Sequence, residues 1–195
     1  MISENGFLPK KDNTIEKKEA VVQTTEVVNG YDPKHLAAIL EIDRNSFDEQ
    51  YEDAEEYYHE ALENPENINV FLKEGEKNVG YILAIPHNVA LEDLNKVDPE
   101  MKADSKRFYV ETIEILPDYR KGRGFLKMIL TLIDEAGKRG VDNFSMHARV
   151  ENGLSNVVQK YFRKMIRKVR RIENWPYYYN GEPTDYIEGT YDGKK

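Results

Sequence analysis

The chain has 195 residues, a net charge of −8, 39% hydrophobic residues and 33% charged residues, a size and balance that fit one domain with a substantial core. It has no cysteine, which excludes disulfides, thiolate metal sites and a cysteine nucleophile, and fits a reducing, cytoplasmic setting. The acidic balance disfavours bulk nucleic-acid binding and favours cationic or amine partners, while the sequence offers neither a membrane-length apolar run nor the apolar centre of a signal peptide.

Residues 1–20 are polar, lysine-rich and aperiodic, and are expected to form a mobile tail ahead of one domain over residues 21–195. Val21–Val28 has the alternation of a first strand. Asp32 and Pro33 form a helix start, a capping side chain followed by a first-turn proline, and Leu36, Ile39 and Leu40 continue at helical spacing. Asp53 with Glu56 has the form of a capping box for a second helix, ended by Asn64-Pro65. Asn69–Ile85 is expected to be a β-hairpin with Gly75 in its turn, the second arm apolar enough to be a central strand. Pro86–Lys106 has no clear period and is expected to be a polar loop. Arg107–Leu116 has the pattern of another strand. Phe125, Met128, Ile129, Leu132, Ile133 and Ala136 keep helical spacing until Gly140. Asn143–Val150 is the next strand. Asn152 is then expected to cap a helix with Leu154, Val157, Val158, Tyr161 and Met165 on its buried stripe. A final hairpin follows. The alternation predicts an α/β domain around a mixed sheet.

The stretch from Pro117 to Leu126, PDYRKGRGFL, joins a strand to a helix through a basic, glycine-bearing turn. The first N–H groups of a helix lack internal partners, and the macrodipole adds positive charge there. Gly122 and Gly124 allow close approach of an anion, and Lys121 and Arg123 add charge. The spacing is neither that of a Walker A loop nor that of the Gly-x-Gly-x-x-Gly dinucleotide fingerprint.

Ile115, Pro117 and Arg120, followed by Lys121, Gly124 and Leu126, resemble the acetyl-coenzyme A motif of the GNAT superfamily of N-acetyltransferases. Lysine opens the second half of the motif and leucine closes it, where the family has Arg or Gln and a small residue. The resemblance runs from about Val28 to Tyr191. Asn152 matches the asparagine of the family's fourth helix, Gln159 stands where a tyrosine acid is usual, and Ile166-Arg167 replaces the usual Gly-Phe. The resemblance implies a mixed, mostly antiparallel sheet flanked by about four helices. It also implies an acyltransferase that uses acetyl-CoA and no metal. Its coenzyme would lie at Ile113, Ile115, Lys121, Gly122, Arg123, Gly124 and Asn152.

Three details resemble the protein N-terminal (Nα) acetyltransferase branch. These are Tyr109 six residues before Ile115, His147 five residues before Asn152, and the run from Tyr177 to Asp185, YYYNGEPTD. The resemblance implies Tyr109 and His147 as a water-bridged base pair and Tyr177 and Tyr178 as the lining of a peptide groove. By the period of two, Tyr109, Glu111, Ile113 and Ile115 share one strand face. An inward-facing Glu111 would be unusual, since buried carboxylates need partners, and the resemblance implies it as the rival base, because GNAT members often use a glutamate on this strand. Tyr161 is the candidate acid for the departing thiolate. His35, His59 and His87 show no ligand spacing, so no metal is assigned.

Seven of the twelve residues from Lys160 to Arg171 are Lys or Arg. A solvated face, attraction of the coenzyme's ribose phosphate, and a charged tRNA bearing the amine all fit this run. The acceptor implied is a primary amine: a peptide N-terminus, a lysine or a small amine such as a polyamine. A GNAT-shaped binding module without activity is the reading from another class.

Overall fold

In a computed structural model of the chain, the described residues are 22–46, 55–120, 123–177 and 181–191. The expected tail, the capping-box residue Asp53, the turn residues Lys121 and Gly122, and Tyr178 lie outside them. The elements are β1 (Gln23–Val28), α1 (Pro33–Ser46), α2 (Glu55–Glu63), β2 (Ile68–Glu74), β3 (Lys77–Pro86), α3 (His87–Leu94), β4 (Arg107–Ile115), α4 (Gly124–Lys138), β5 (Asn143–Arg149), α5 (Leu154–Tyr161), β6 (Ile166–Ile172) and β7 (Thr184–Thr190).

Most of these elements follow from local chemistry. The Lys34 amide bonds the Asp32 carboxylate at 2.8 Å, which is the N-cap that the Asp-Pro pair promised. Gly75 at φ 61° closes the β2–β3 turn, and Gly140 at φ 73° stops the chain after α4, two positions where a side chain is disfavoured. β3 is buried through its centre, as its continuous apolar run requires.

The segment from Pro86 to Lys106 departs from its expected loop, because α3 occupies its first part. The eight residues of α3 show little periodicity. What holds them is tertiary: His87 is buried, with Nδ1 2.8 Å from the Ser145 hydroxyl and Nε2 3.0 Å from the Lys102 carbonyl. α5 also differs from its expected stripe. Ser155 and Val158 are its buried residues, followed by Phe162, while Val157 and Tyr161 face solvent. The docked face is displaced because Ser155 is drawn inward to the Asp185 carboxylate.

The strands form one sheet in the order β1-β2-β3-β4-β5-β7-β6. Every pairing is antiparallel except β4 with β5, which is parallel. Leu72, Val110, Met146 and Val158 join Met128, Ile129, Leu132 and Ile133 of α4 in the main core. On the opposite face, Phe71 and Tyr81 meet His35 of α1 and Tyr58 of α2.

The parallel ladder is short. It pairs Arg107–Val110 with Asn143–Met146 and ends. At the same point β4 carries a bulge: Thr112 pairs with Leu83 and Val110 with Ala84, leaving Glu111 as the extra residue. A bulge flips the alternation of the strand beyond it. Tyr109 therefore shares a face with Thr112 and Glu114, while Ile113 and Ile115 share the face of Phe108 and Val110. This corrects the expectation that Tyr109, Glu111, Ile113 and Ile115 line one face. Glu111 is exposed rather than inward.

β3 and β4 approach closely at Gly80, where a Cβ would lie 2.6 Å from the Glu114 carbonyl oxygen. Backbone cannot yield as a side-chain tip does, so Gly80→Ala should destabilise the chain by about 1–3 kcal/mol. Urea unfolding followed by circular dichroism tests this, and an unchanged midpoint would contradict it.

Candidate active site

The parallel ladder of β4 with β5 ends at Val110 and Met146, while β4 stays paired with β3 as far as Ile115. A strand edge beyond the end of its ladder is where an extended, amide-bearing ligand can add. The strand ends in a 3₁₀ turn, Pro117–Tyr119, and the Arg120 guanidinium folds back to donate to the Ile115 carbonyl at 2.8 Å. After the turn, α4 begins at Gly124. Its first internal bond runs from the Lys127 amide to the Arg123 carbonyl at 2.9 Å, so the helix supplies no acceptor for the amides of Gly124, Phe125 and Leu126.

Gly124 has a packing reason as well. A Cβ there would stand 2.5 Å from Leu72 Cδ2 and 3.0 Å from Gln23 Oε1, so glycine lets the start of α4 lie against β1 and β2. Leu126 packs partly against the same core. Arg123, at the helix start, is exposed.

The second cluster lies on the other side of the sheet, at the end of the parallel ladder. The Tyr109 hydroxyl is 2.9 Å from His147 Nδ1. The two residues expected to act through a water are thus in direct contact. His147 Nε2 is 3.1 Å from Asp98 Oδ2, and Arg170 donates to Asp98 Oδ1 at 2.6 Å. The imidazole stacks on the Trp175 indole, centroids 4.2 Å apart and 20° from parallel, and meets the Tyr186 ring at 4.9 Å. Tyr177 stands edge-on to Trp175 at 5.7 Å, and half of it is exposed. The expected peptide-lining loop is therefore connected to the expected base through Trp175.

Electrostatics follow from this packing. Burial pushes His147 below the ordinary histidine value, against the opposing pull of the Asp98 carboxylate. Burial alone would push Asp98 up, but the hydrogen bonds from His147 and Arg170, and their charge, hold it below the usual carboxylate range.

Other expected residues lie outside this cluster. Tyr161 is on the solvent side of α5, 55% exposed, with the Lys160 ammonium over its ring. Asn152 is exposed and, contrary to the expected cap, stands one residue before the N-cap Gly153, its Oδ1 accepting from the Leu154 amide at 3.0 Å. Gln159 donates to the Ser155 hydroxyl at 2.8 Å. The basic run divides by strand alternation. Arg170 turns to Asp98, and Arg171 turns to the other face to bond Asp185 at 2.6 Å, while Lys160, Arg163, Lys164, Arg167 and Lys168 are exposed.

Asp98, Arg170 and Trp175 were not singled out from sequence. Asp98 sits in a polar stretch without period, and Arg170 is one base among several. The tryptophan, the single one in the chain, was the signal available: it immediately precedes the Pro-Tyr run.

The sequence matches the profile of the acetyltransferase (GNAT) family over residues 36–165. The chain belongs to the GNAT family of N-acetyltransferases. Its fold is shared by a ribosomal-protein alanine N-acetyltransferase from Escherichia coli, at 15% identity and TM-score 0.62 over 87% of this chain and 93% of that one. It is shared by the NatC complex bound to a Gag peptide and CoA, at 14% identity and TM-score 0.64 over 86% and 98%. An aminoglycoside 6'-acetyltransferase shares it too, at 18% identity and TM-score 0.62 over 86% and 96%. No curated protein matches the sequence. Among the described residues no group of His, Asp or Glu is placed to hold a metal ion, and no helix is long and apolar enough to cross a membrane.

The pKa directions give a stability profile. His147 is lowered in the folded state, so the unfolded chain takes up the proton first and stability falls as pH drops through about 6.5. Asp98 is also lowered. Its contribution is present above the unfolded carboxylate value of about 4 and is lost on further acidification. His87, lowered by burial, adds to the first loss. The melting temperature at fixed ionic strength should therefore be lower at about pH 5 than at about pH 7.5. Equal values would contradict the buried, neutral His147.

Proposed function

We propose that this acetyltransferase moves acetyl from acetyl-CoA to the free amine of a peptide or protein N-terminus, with Tyr109 and His147 receiving the amine's proton. The observation that carries the reading is the direct Tyr109–His147 hydrogen bond at the end of the parallel ladder, beneath the Trp175–Tyr177 loop. The part of β4 beyond the end of the parallel ladder fits the amide-bearing arm of the coenzyme, with Ile113 and Ile115 supplying apolar contact on one face. The start of α4 fits its pyrophosphate through the Gly124–Leu126 amides and Arg123, with Lys121 and Gly122, which precede Arg123 in sequence, assigned to the same group. Asn152 is assigned to the same end of the coenzyme.

The protein supplies orientation and a proton acceptor. The nitrogen attacks the thioester carbonyl, the C–N bond forms, the C–S bond breaks, and the amine's proton passes to the tyrosine–histidine pair. Tyr177 and Tyr178 would flank the peptide. Tyr161 and Glu111 are weaker candidates for proton transfer, because Tyr161 stands toward solvent and Glu111 sits outside the buried cluster.

Among the folds shared, one protein acts on an alanine of a ribosomal protein and another is bound to a peptide and CoA, which supports a peptide acceptor. The net charge of −8 favours a small cationic amine as the second reading, and a lysine or an aminoacyl-tRNA would present the same nucleophile. Thiol release from acetyl-CoA, measured with peptides varied at the first residue, spermidine and free lysine, separates these acceptors. Turnover of peptides is expected, and turnover of spermidine alone would overturn the peptide assignment.

His147→Ala should reduce kcat by ~100-fold or more with acetyl-CoA affinity nearly unchanged. Glu111→Gln should have the smaller effect. Steady-state turnover of both variants with the best acceptor, together with calorimetric titration of acetyl-CoA, checks this. Loss of activity in Glu111→Gln alone would make the carboxylate the base.

A further inference from the structure

The buried carboxylate behind His147 has no counterpart in the functional assignment so far. Asp98 lies in the stretch between α3 and β4, yet its side chain is almost wholly enclosed. A charge so placed is costly unless paired. It is paired twice, by Arg170 of β6 and by His147 of β5. Two separate strands thus converge on its one oxygen pair.

The geometry fixes the state of the ring. A carboxylate accepts and does not donate, so His147 Nε2, facing Asp98, carries a proton. Nδ1 is then the lone-pair nitrogen, and the Tyr109 hydroxyl donates to it. Both ring nitrogens are engaged by the protein. Any proton that reaches His147 arrives at Nδ1, and the group there is the Tyr109 hydroxyl.

We infer that Asp98, anchored by Arg170, is a positioning residue that holds His147 in the Nε2–H tautomer, and that Tyr109 is the relay through which the ring receives the amine's proton. The inference rests on the reading of Tyr109 and His147 as the proton-accepting pair. In the transfer step the amine's proton moves to the Tyr109 oxygen as the hydroxyl proton moves to His147 Nδ1. The tyrosine ends neutral, and the imidazolium is stabilised by the Asp98 carboxylate. Arg170 keeps Asp98 ionised and prevents it from taking the proton itself. Trp175 and Tyr186 wall the ring from water.

Among the described residues, the charged and titratable groups facing the ring include Asp98 from the α3–β4 stretch, Tyr109 from β4, Arg170 from β6 and Tyr186 from β7, and Glu100 is 3.5 Å from Arg170. Asp98 raises the affinity of His147 for a proton and Arg170 lowers it. Removing the carboxylate therefore acts in one direction, toward a less basic ring.

The test uses the full chain, free of substrate and then turning over. Long-range proton–nitrogen correlation spectra of the imidazoles should show His147 as the Nε2–H tautomer, with the resonance assigned by its absence in His147→Ala. In Asp98→Asn the titration midpoint of His147 should fall by about one pH unit or more. The acid limb of kcat against pH should move down with it, and kcat at neutral pH should drop at least ~10-fold with little change in KM for acetyl-CoA. An Nδ1–H tautomer in the wild-type chain overturns the inference whether or not the variant folds. An unmoved midpoint in a folded Asp98→Asn variant also overturns it. If His147→Ala keeps full turnover, the assignment of the base fails. If His147→Ala is inactive while Asp98→Asn keeps its rate and pH profile, the base stands and the positioning role of Asp98 fails.

Discussion

The site depends on one limit to backbone pairing: β4 and β5 share a parallel ladder of only four residue pairs, Arg107–Val110 against Asn143–Met146. Past that point each strand follows its other neighbour, β4 staying with β3 and β5 with β7. The β4–β5 ladder therefore ends four residues into the pairing, and β4 runs on to Ile115 and the turn that leads into α4. The bulge at Glu111 coincides with the end of the ladder. It turns Ile113 and Ile115 to the α4 side and leaves Tyr109 on the α3 side. One irregularity in one strand therefore separates the β4 edge proposed to hold the cosubstrate from the cluster proposed to transfer the proton.

The cost of that cluster is met by pairing. His147 and Asp98 are both buried, and a lone buried ion would be strongly destabilising. Arg170 reaches Asp98 because β6 and β7 form a hairpin beside β5, with Arg170 opposite Tyr186 and His147 opposite the same Tyr186. The neighbouring Arg171 points to the other face and ties Asp185 to α5 through Ser155. Alternate residues of one basic strand thus secure the two faces of the sheet, which accounts for part of a charge run that otherwise stays in solvent.

Elements with a local signal were legible in the sequence. The Asp32 cap, the Gly75 turn, the helical spacing of α4 and the apolar run of β3 each reflect interactions within a few residues. The turn from Pro117 to Leu126 was legible as a motif, although Gly124 also answers to the close approach of Leu72, a contact between distant segments. What could not be read was set by tertiary contact. α3 has weak periodicity and is held by His87 against Ser145. The bulge at Glu111 reverses a count of two that nothing in RFYVETIEIL interrupts. Asp98 resembles any other acid in a polar stretch until Arg170 and His147 are seen around it. Tyr109 and His147 were found through a resemblance, and the structure brings them closer than expected, into direct hydrogen bonding.

Acetyl-CoA is proposed to occupy the end of β4 and the start of α4, beside the buried tyrosine–histidine pair. Amide hydrogen exchange with and without acetyl-CoA tests it most directly, because it reads backbone protection without a known acceptor. New protection is expected in residues 111–115 of β4 and 123–126 at the start of α4, with the outer strands β1 and β6 little changed. Protection of some other surface, with residues 111–126 exchanging as in the free protein, would contradict it.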